Sequence, residues 1–327
     1  YGLGARLSPA PETKNNLEVI AIDEASLQQL GDWPWPRSYL GVVIKQLNRY
    51  RARTVGLSLP LHTPQSEFGV KRLDSMRNTY DGKYEKTVKD VLFRARQRLD
   101  TDGALAASLK RTHKPVLAIS YGLDKDIQRG SAAASQQTLE SYAFPDFPAE
   151  SMTWSSLVPS VLSIGIPVLT QAQAPIPLLA KHSVAGMLDE SATDKWSSLV
   201  APLVLKYGDH HYPSFSLMFA AESLKVKTDD IIIDPDQGIT MGGIELNTDP
   251  SYRLYPHIYS GSDNKPAFKV HSFHDIYSKK ENSRQFKGKD VLIGITAPSL
   301  VDPVTVPGGE TMTPVMINAH LINNLLH

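Results

Sequence analysis

Near its start the chain carries the pattern of one βαβ unit, which constrains the fold more than any other feature. Leu17 to Ile22 is a short apolar run between polar residues, as expected of a strand buried on both faces. Ser38 to Tyr50 places its apolar side chains on one helical stripe, and Thr54 to Leu61 predicts a second strand. Such units form parallel sheets with right-handed crossovers. The sequence therefore predicts the α/β class, with a mainly parallel sheet flanked by helices.

Further segments extend this fold. Val116 to Tyr121 predicts a third parallel strand, and Asp290 to Ile295 a buried central strand. Helices are predicted within Glu67 to Asp102 and over Gly103 to Arg111, Ser214 to Leu224 (amphipathic), Phe268 to Tyr277 and Thr313 to Leu326. A hairpin or paired strands are predicted over Ser183 to Leu188 and Ser197 to Tyr207. Small strands, some of them antiparallel, are predicted over Ile231 to Ile233, Ile239 to Leu246 and Tyr252 to Ile258, with a turn at Gly242-Gly243.

Length and composition narrow the class of protein. With 327 residues the chain fits one large or two modest α/β domains, and we expect one domain over residues 1–327. Lys and Arg number 34, as do Asp and Glu, and the basic residues are scattered apart from short groups such as Arg49 to Arg53. Nucleic acid is therefore not an expected partner, because phosphates require a basic surface. The chain has no cysteine, which excludes disulfides and thiolate sites. The absence of cysteine does not indicate the compartment, since it is compatible with both cytoplasm and periplasm.

An irregular insertion rich in Ala, Ser, Gln and Pro interrupts the pattern over about residues 124–178. Aromatic residues recur in it, so we do not expect a flexible linker. Its most apolar part, Val158 to Leu179, is too often broken by Pro and Gln to cross a bilayer. The sequence has no initiator methionine or signal peptide, and we expect it to be a piece of a longer protein.

Common catalytic motifs are absent from the sequence. It contains no G-x-S-x-G, no G-x-x-x-x-G-K-[ST] and no H-E-x-x-H. Gly308 to Thr311 is similar to a diguanylate cyclase signature, but it lies in a proline-rich loop with no cyclase sequence around it. We therefore expect no catalytic residue and no cofactor.

Motifs at three places resemble the CHASE2 domain family. They are Val19 to Leu27 with Leu30-Gly31 and Trp33-Pro34-Trp35-Pro36-Arg37; Tyr212 to Leu217; and Phe286 to Pro298 with Leu300, Asp302 and Pro307. The resemblance covers nearly the whole chain and is weakest from about Thr63 to Leu178. The chain departs from the family pattern at three places. Ser58 replaces a frequent acid, and Asn318 and His320 exchange the usual places of His and Asn. Asp189 to Lys195 keeps little of the expected Asp-x-Asp-Gly-x-x-Arg motif.

The resemblance implies an extracytoplasmic sensor domain of a bacterial transmembrane receptor. The domain would lie on the periplasmic or extracellular side of the inner membrane, anchored by transmembrane segments on either side of this chain. Outputs in the family are adenylate or diguanylate cyclases, histidine kinases and serine/threonine kinases, which implies a homodimer in the full-length receptor. The stimulus would be a small molecule or a protein.

Candidate ligand-binding residues lie where the predicted strands end. Asp23 follows the first strand, and Thr296 and Asp302 follow the last, which is where open α/β sheets bind ligands. Asp23 could instead cap the next helix or pair with Arg37.

Other candidates come from the Trp-Pro-Trp-Pro-Arg segment and from two histidines. Trp33 and Trp35 could stack on a ligand or form a packed corner. Arg37 could clamp an anion or pair with Asp23 or Asp32. His271 and His274 are weak metal candidates, because they share a helix face but lack a third ligand nearby; they could also be solvated or serve as caps.

Two functions compete with the sensing of a small molecule. A protein-binding or dimerisation module would expose an apolar patch, and the irregular insertion is the expected surface for it. An unrecognised periplasmic enzyme would need a polar pair such as Asp23 and Asp302 to converge on a substrate.

Overall fold

The computed structural model describes residues 16–122, 132–145, 147, 165–189, 200–235, 237–259, 267–306 and 309–327. The strands are β1 (Leu17–Ile22), β2 (Thr54–Ser58), β3 (Val116–Gly122), β4 (Val168–Leu169), β5 (Gln171–Gln173), β6 (Val184–Asp189), β7 (Ala201–Pro202), β8 (Val204–Tyr207), β9 (His210–Pro213), β10 (Ile231–Asp234), β11 (Gly238–Met241), β12 (Ile244–Leu246), β13 (Arg253–Leu254), β14 (Lys269–Ser272), β15 (Asp290–Ile295), β16 (Val304–Thr305) and β17 (Thr311–Met312). The helices are α1 (Glu24–Leu30), α2 (Arg37–Arg49), α3 (Glu67–Thr79), α4 (Glu85–Leu99), α5 (Thr101–Leu109), α6 (Ala132–Glu140), α7 (Pro177–Ala180), α8 (Phe215–Leu224), α9 (Phe273–Tyr277) and α10 (Pro314–Leu326).

The central sheet is mainly parallel, as predicted. Its strands follow the order β14, β1, β15, β2, β3, and β3 also pairs with β6 in parallel and with β5 in antiparallel fashion. β15 lies between β1 and β2, so the strands of the first βαβ unit are parallel without being neighbours. We call the edge where the parallel strands begin the amino edge, and the edge where they end the carboxyl edge.

Helices cover both faces of this sheet. Side chains of β1 alternate between the two cores: Val19 joins α8 and α10 on one face, whereas Ile20 and Ile22 join α2, α5 and α9 on the other. All six residues of β1 are buried, which explains its unbroken apolar run. A Cβ at Gly294 would lie 2.5 Å from Val315 in the first turn of α10, so α10 begins near the carboxyl edge and runs back along the sheet.

Glycines in two strands let α8 approach the sheet closely. A Cβ at Gly56 would lie 2.5 Å from the Phe219 ring, and one at Gly186 would lie 2.5 Å from the Ser214 carbonyl oxygen. Ser214 caps the helix by accepting the Leu217 N–H, at the helix start predicted from the Tyr-Pro-Ser motif. The helix is buried on nearly every side rather than amphipathic as predicted, because both α10 and the sheet pack against it.

Two local predictions were wrong. Phe268 to Tyr277 was expected to be one helix, but its first half forms β14, which pairs with the edge of β1 before α9 begins. Ser183 to Leu188 and Ser197 to Tyr207 were expected to pair with each other. β6 instead pairs with β3, more than 60 residues earlier in the chain, whereas β8 pairs with β4 and forms a tight hairpin with β9, the strand that follows it.

The small strands near Gly242-Gly243 agree with the prediction. β10, β11 and β12 form an antiparallel sheet, and both glycines have the positive φ that a tight turn requires. Of the irregular insertion, α6, β4, β5 and the start of α7 are described. Residues 123–131, 148–164 and 190–199 lie outside the described residues, and they include most of the Asp189 to Lys195 departure.

α3 and α4 form a helical hairpin with no buried residue in either helix. Arg96 pairs with Asp74 across the hairpin at 2.8 Å, and several large apolar side chains stay exposed, above all Phe68 at 80%. Within the described residues, no helix is both long and apolar enough to span a membrane.

Candidate functional site

At the carboxyl edge, the ends of β1 and β15 lie side by side. The two strands are neighbours, but β1 leads to α2 on one face of the sheet and β15 leads to α10 on the other. Connections that leave adjacent strands toward opposite faces open a gap between them, which is where open α/β sheets bind their ligands. Asp23 and Thr296 follow these two strands directly.

Asp23 is the N-cap of α1. Its Oδ1 accepts the Ser26 N–H at 2.9 Å, the Ser26 hydroxyl at 2.5 Å and the Ser272 hydroxyl at 2.9 Å. Ser26 is fully buried, and its hydroxyl also accepts the His274 N–H at 3.0 Å. The cluster therefore ties the ends of β1 and β14 together. Ser26 lies three residues from Asp23, as a capped residue does, whereas Ser272 was not predicted because it lies 249 positions away.

The segment after β15 closes the other side of this edge. Thr296 and Ala297 both donate their N–H groups to the Ile22 carbonyl at 3.0 Å. Glu24 Oε1 accepts the Ser299 N–H at 2.9 Å, and hydrogen bonds from Ser299 lower the pKa of Glu24. Asp302 lies further along the loop and is exposed. The structure thus brings Asp23, Glu24 and Thr296 to one edge.

Trp35 is part of the core rather than of an open surface. It is 3% exposed, its Nε1 donates to the Gly31 carbonyl at 2.7 Å, and its ring lies 5.1 Å from that of Phe273. Trp33 packs edge-on against Trp35 at 5.3 Å and remains partly exposed. Only Trp33 of the pair presents accessible ring surface beside the carboxyl edge.

Arg37 forms a buried ion pair with Asp102. Its Nη1 donates to Asp102 Oδ1 at 2.6 Å, with each side chain 6% exposed, and its Nη2 donates to the Thr63 carbonyl at 2.7 Å. Asp102 Oδ2 also accepts the Gln65 and Ser66 N–H groups at 2.9 and 3.2 Å. The predicted pairing of Arg37 with Asp23 or Asp32 is absent from these contacts. Instead, the ion pair holds together the two ends of the α3–α4 hairpin.

The two candidate metal-binding histidines have different surroundings and different hydrogen-bond partners. The buried His271 ring sits between Glu18, at 2.9 Å, and Glu281, at 2.7 Å. Hydrogen bonds from Gln285 and His271 outweigh burial and lower the pKa of Glu281. His274 belongs to α9 near Ser26. In the described part of the chain, no group of three or more His, Cys, Asp or Glu residues is arranged to hold a metal.

Two cavities lie away from these residues. One of about 30 Å³ is lined by Ser214, Ser216 and Asn318 together with apolar side chains. A larger one of about 530 Å³ lies between the end of α6 and the start of β6, and its lining includes Tyr142, His210 and Asp229. None of the predicted site residues lines either cavity.

Comparison with known proteins places the chain in a family. The family model described as the CHASE2 domain matches residues 1–327, which is the whole chain. The chain belongs to the CHASE2 family. CHASE2 domains are extracytoplasmic sensor domains of signalling receptors, which supports a sensing role for this chain. No curated protein and no solved structure matches the chain.

The structure shows where two of the departures from the CHASE2 pattern lie. Ser58 pairs with Gly294 at the end of β2, so an acid at this position would stand at the carboxyl edge. Asn318 is buried and donates to the Pro314 carbonyl at 3.0 Å within α10. His320 is buried between Tyr259 and Phe268, where its Nδ1 accepts the Tyr259 N–H at 3.3 Å. The exchanged residues are therefore core residues in this CHASE2 domain.

His320 is expected to make the CHASE2 domain labile to acid. Burial lowers its pKa to about 4, from about 6.5 in an unfolded chain. Between these values the unfolded state binds the proton, so stability is complete above pH 6.5 and falls as the pH falls toward 4. The loss from His320 between pH 7 and pH 5 should be about 2 kcal/mol.

Urea unfolding at both pH values, on the parent and on His320→Gln, measures this loss. Gln can still accept the Tyr259 N–H but does not titrate. The pH-dependent loss should shrink by about 2 kcal/mol in the variant. Burial also lowers the pKa of His62. Because His62 is present in both proteins, it does not affect the difference between the pH-dependent losses of parent and variant. An equal loss in parent and variant would contradict the assignment.

Proposed function

We propose that this CHASE2 domain is the sensing part of a bacterial transmembrane receptor with a cyclase or kinase output, and that its ligand binds at the carboxyl edge between β1 and β15. The observation that supports the site is that the chain leaves these two neighbouring strands toward helices on opposite faces, with Asp23 and Thr296 directly after the strands. Asp302, Trp33 and Glu24 complete the proposed lining.

The polar groups at this edge indicate the chemistry of the ligand. Asp23 directs its three hydrogen bonds through Oδ1, which leaves Oδ2 open to a further donor. Hydrogen bonds from Ser299 lower the pKa of Glu24 and so favour its charged form, and the exposed Asp302 adds a third carboxylate. Partly exposed Trp33 supplies a ring face. We propose a small ligand with an amine or another N–H donor, since carboxylates and an aromatic face both favour cations.

Transmission is proposed to use β1 and α10. Asp23 directly follows β1, and α10 packs against both β1 and β15, so a ligand at the two strand ends would contact or displace both elements. A ligand shifts an equilibrium only through its different affinities for the two states, and a difference of a few kcal/mol is enough to move a receptor from mostly off to mostly on.

A thermal-shift screen against small amines, anions and divalent metals tests the site. A true ligand at about one hundred times its Kd should stabilise the parent by about 2.7 kcal/mol. Asp23→Asn keeps an oxygen to cap α1 but removes the charge, so it should lose most of this stabilisation while its unliganded Tm stays close to that of the parent. Asp209→Asn, at an exposed turn, serves as the matched control. Ligand stabilisation that survives Asp23→Asn unchanged would contradict the proposed site.

A protein-contact function is the second candidate, and the α3–α4 hairpin supports it. The hairpin carries the exposed apolar side chains Phe68, Met76 and Val91, whereas the sequence had suggested the irregular insertion. Phe68→Ser with Val91→Ser should leave stability unchanged because both side chains are exposed. If the hairpin contacts a partner, these changes should abolish the response of the full-length receptor; an unchanged response would exclude this surface.

A further inference from the structure

The fold gathers basic residues at the amino edge of the sheet. Three Lys or Arg lie in residues 49–53, three in 110–115, one in 181–183, one at Lys269 and five in 278–290. These thirteen basic residues are more than a third of the 34 Lys and Arg residues in the chain. The segments together contain only 28 residues, in which the average composition of the chain would place about three basic residues. The segments are far apart in sequence, but each leads into or begins a parallel strand, so all of them meet at one edge.

Acidic residues neutralise only part of this edge. The same segments contain only Glu281 and Asp290. Asp290 is fully buried and accepts hydrogen bonds from Arg53 Nε and the Ser223 hydroxyl, both at 2.8 Å. Glu281 bonds to His271. Among neighbouring carboxylates, Asp275 lies 4.0 Å from Lys280, the buried Glu18 lies 3.9 Å from Lys289, and Glu222 faces Lys114. Every basic residue of the edge except Arg53 and Lys289 is exposed.

Helix termini account for only part of this charge. α2, α5 and α9 end at the amino edge, and a cation near each carboxyl terminus is favoured by the helix dipole. That effect explains about one basic residue per helix and not thirteen. Moreover, Arg51, Lys114 and Lys279 have positive φ, a conformation that favours glycine, so a cationic side chain is present there against the backbone preference.

We propose that the amino edge binds the surface of an anionic phospholipid bilayer through the headgroup phosphates. The edge is assembled from separate loops that present many exposed cations, as attraction to a charged surface requires. Phospholipid is the phosphate-bearing surface that an extracytoplasmic domain meets, which favours it over nucleic acid. β1 begins and α10 ends at the same edge, so the receptor in the proposed function would turn this edge toward its membrane, although the charge argument stands without that function.

Co-sedimentation of the purified domain with vesicles tests the proposal. The domain is expected to bind vesicles that contain phosphatidylglycerol and phosphatidylcholine in equal amounts. It should not bind vesicles of phosphatidylcholine alone, and its binding to the mixed vesicles should disappear as salt shortens the Debye length. Each cation near the surface contributes about fivefold to partitioning, so Lys110→Gln, Arg111→Gln, Lys279→Gln and Lys287→Gln together should weaken it by several hundredfold. All four side chains are exposed, so folding should be unaffected.

The matched control removes the same net charge elsewhere. Arg72→Gln, Lys86→Gln, Arg94→Gln and Arg98→Gln lie on exposed positions of the α3–α4 hairpin, and this variant should bind vesicles like the parent. Equal losses in both variants, binding to neutral vesicles, or no binding at low salt would overturn the proposal. Displacement by soluble glycerol phosphate, or preference for duplex DNA at equal phosphate concentration, would overturn the assignment to a lipid surface. The small-molecule site is tested separately by Asp23→Asn, so either proposal can fail alone.

Discussion

Asp102→Ala is expected to lower the free energy of unfolding by about 3 to 5 kcal/mol at pH 7. The substitution leaves the Arg37 guanidinium buried without its partner, because both side chains of the pair are 6% exposed. It also removes the acceptor for the Gln65 and Ser66 N–H groups. Urea unfolding measures the change. Trypsin should in addition cleave the α3–α4 hairpin faster, because the ion pair holds the two ends of that hairpin together.

An exposed ion pair supplies the control for this prediction. Lys71 pairs with Glu67 on the surface of α3, where both side chains are more than half exposed. Glu67→Ala should therefore change stability by about 0.5 kcal/mol or less. The double variant Arg37→Met with Asp102→Leu should recover part of the loss, since replacing both members of a buried pair leaves no uncompensated charge. If Asp102→Ala lowered the free energy of unfolding by less than about 1 kcal/mol, the Arg37–Asp102 ion pair would not stabilise the fold.

Gly186→Ala is expected to destabilise the protein by about 3 kcal/mol or more. A Cβ at this position would lie 2.5 Å from the Ser214 carbonyl oxygen and 2.7 Å from Phe215 Cα. These are backbone atoms at the start of α8, so relief requires the buried helix to move away from β6. Since α8 also packs against β3, β2 and α10, the movement would disturb packing across that face of the sheet.

Gly165→Ala is the matched control. Among the described residues, no atom beyond the chain neighbours lies within 4 Å of a Cβ built at Gly165, and its φ is not in the left-handed region, so the same substitution should be nearly neutral. Thermal or urea unfolding of both variants separates a steric effect at Gly186 from a general effect of replacing glycine. Similar stabilities for the two variants would show that α8 adapts to the added methyl group.

Strong local patterns predicted much of the fold. The apolar run of β1, the stripe of α2 and the buried β15 each carry a signal within a few neighbouring residues, and the structure confirms all three. The Phe268 to Tyr277 prediction was half wrong because a short apolar segment fits a strand or a helix equally well. Its first half became β14 because the edge of β1 offered a hydrogen-bonding partner.

Part of the local geometry at the candidate site could be predicted. The carboxyl ends of β1 and β15 lie at one edge because parallel strands share a direction, and Asp23 is a cap as one alternative held. The partner of Arg37 was missed, since Asp102 lies 65 residues away and no spacing rule relates the two. Trp35 was a ligand candidate with a packed corner as its alternative, and burial against Phe273 places it in the core.

By itself the sequence determined the α/β class, the CHASE2 membership and the parallel strands, because these depend on periodicity and motifs that neighbouring residues carry. Only the tertiary structure decided which distant side chains meet. It joined Arg37 to Asp102 at the base of the hairpin, and it turned basic residues that look scattered along the chain into one charged edge. The physical reason is that a parallel sheet returns every strand to the same edge, so segments far apart in sequence share one surface.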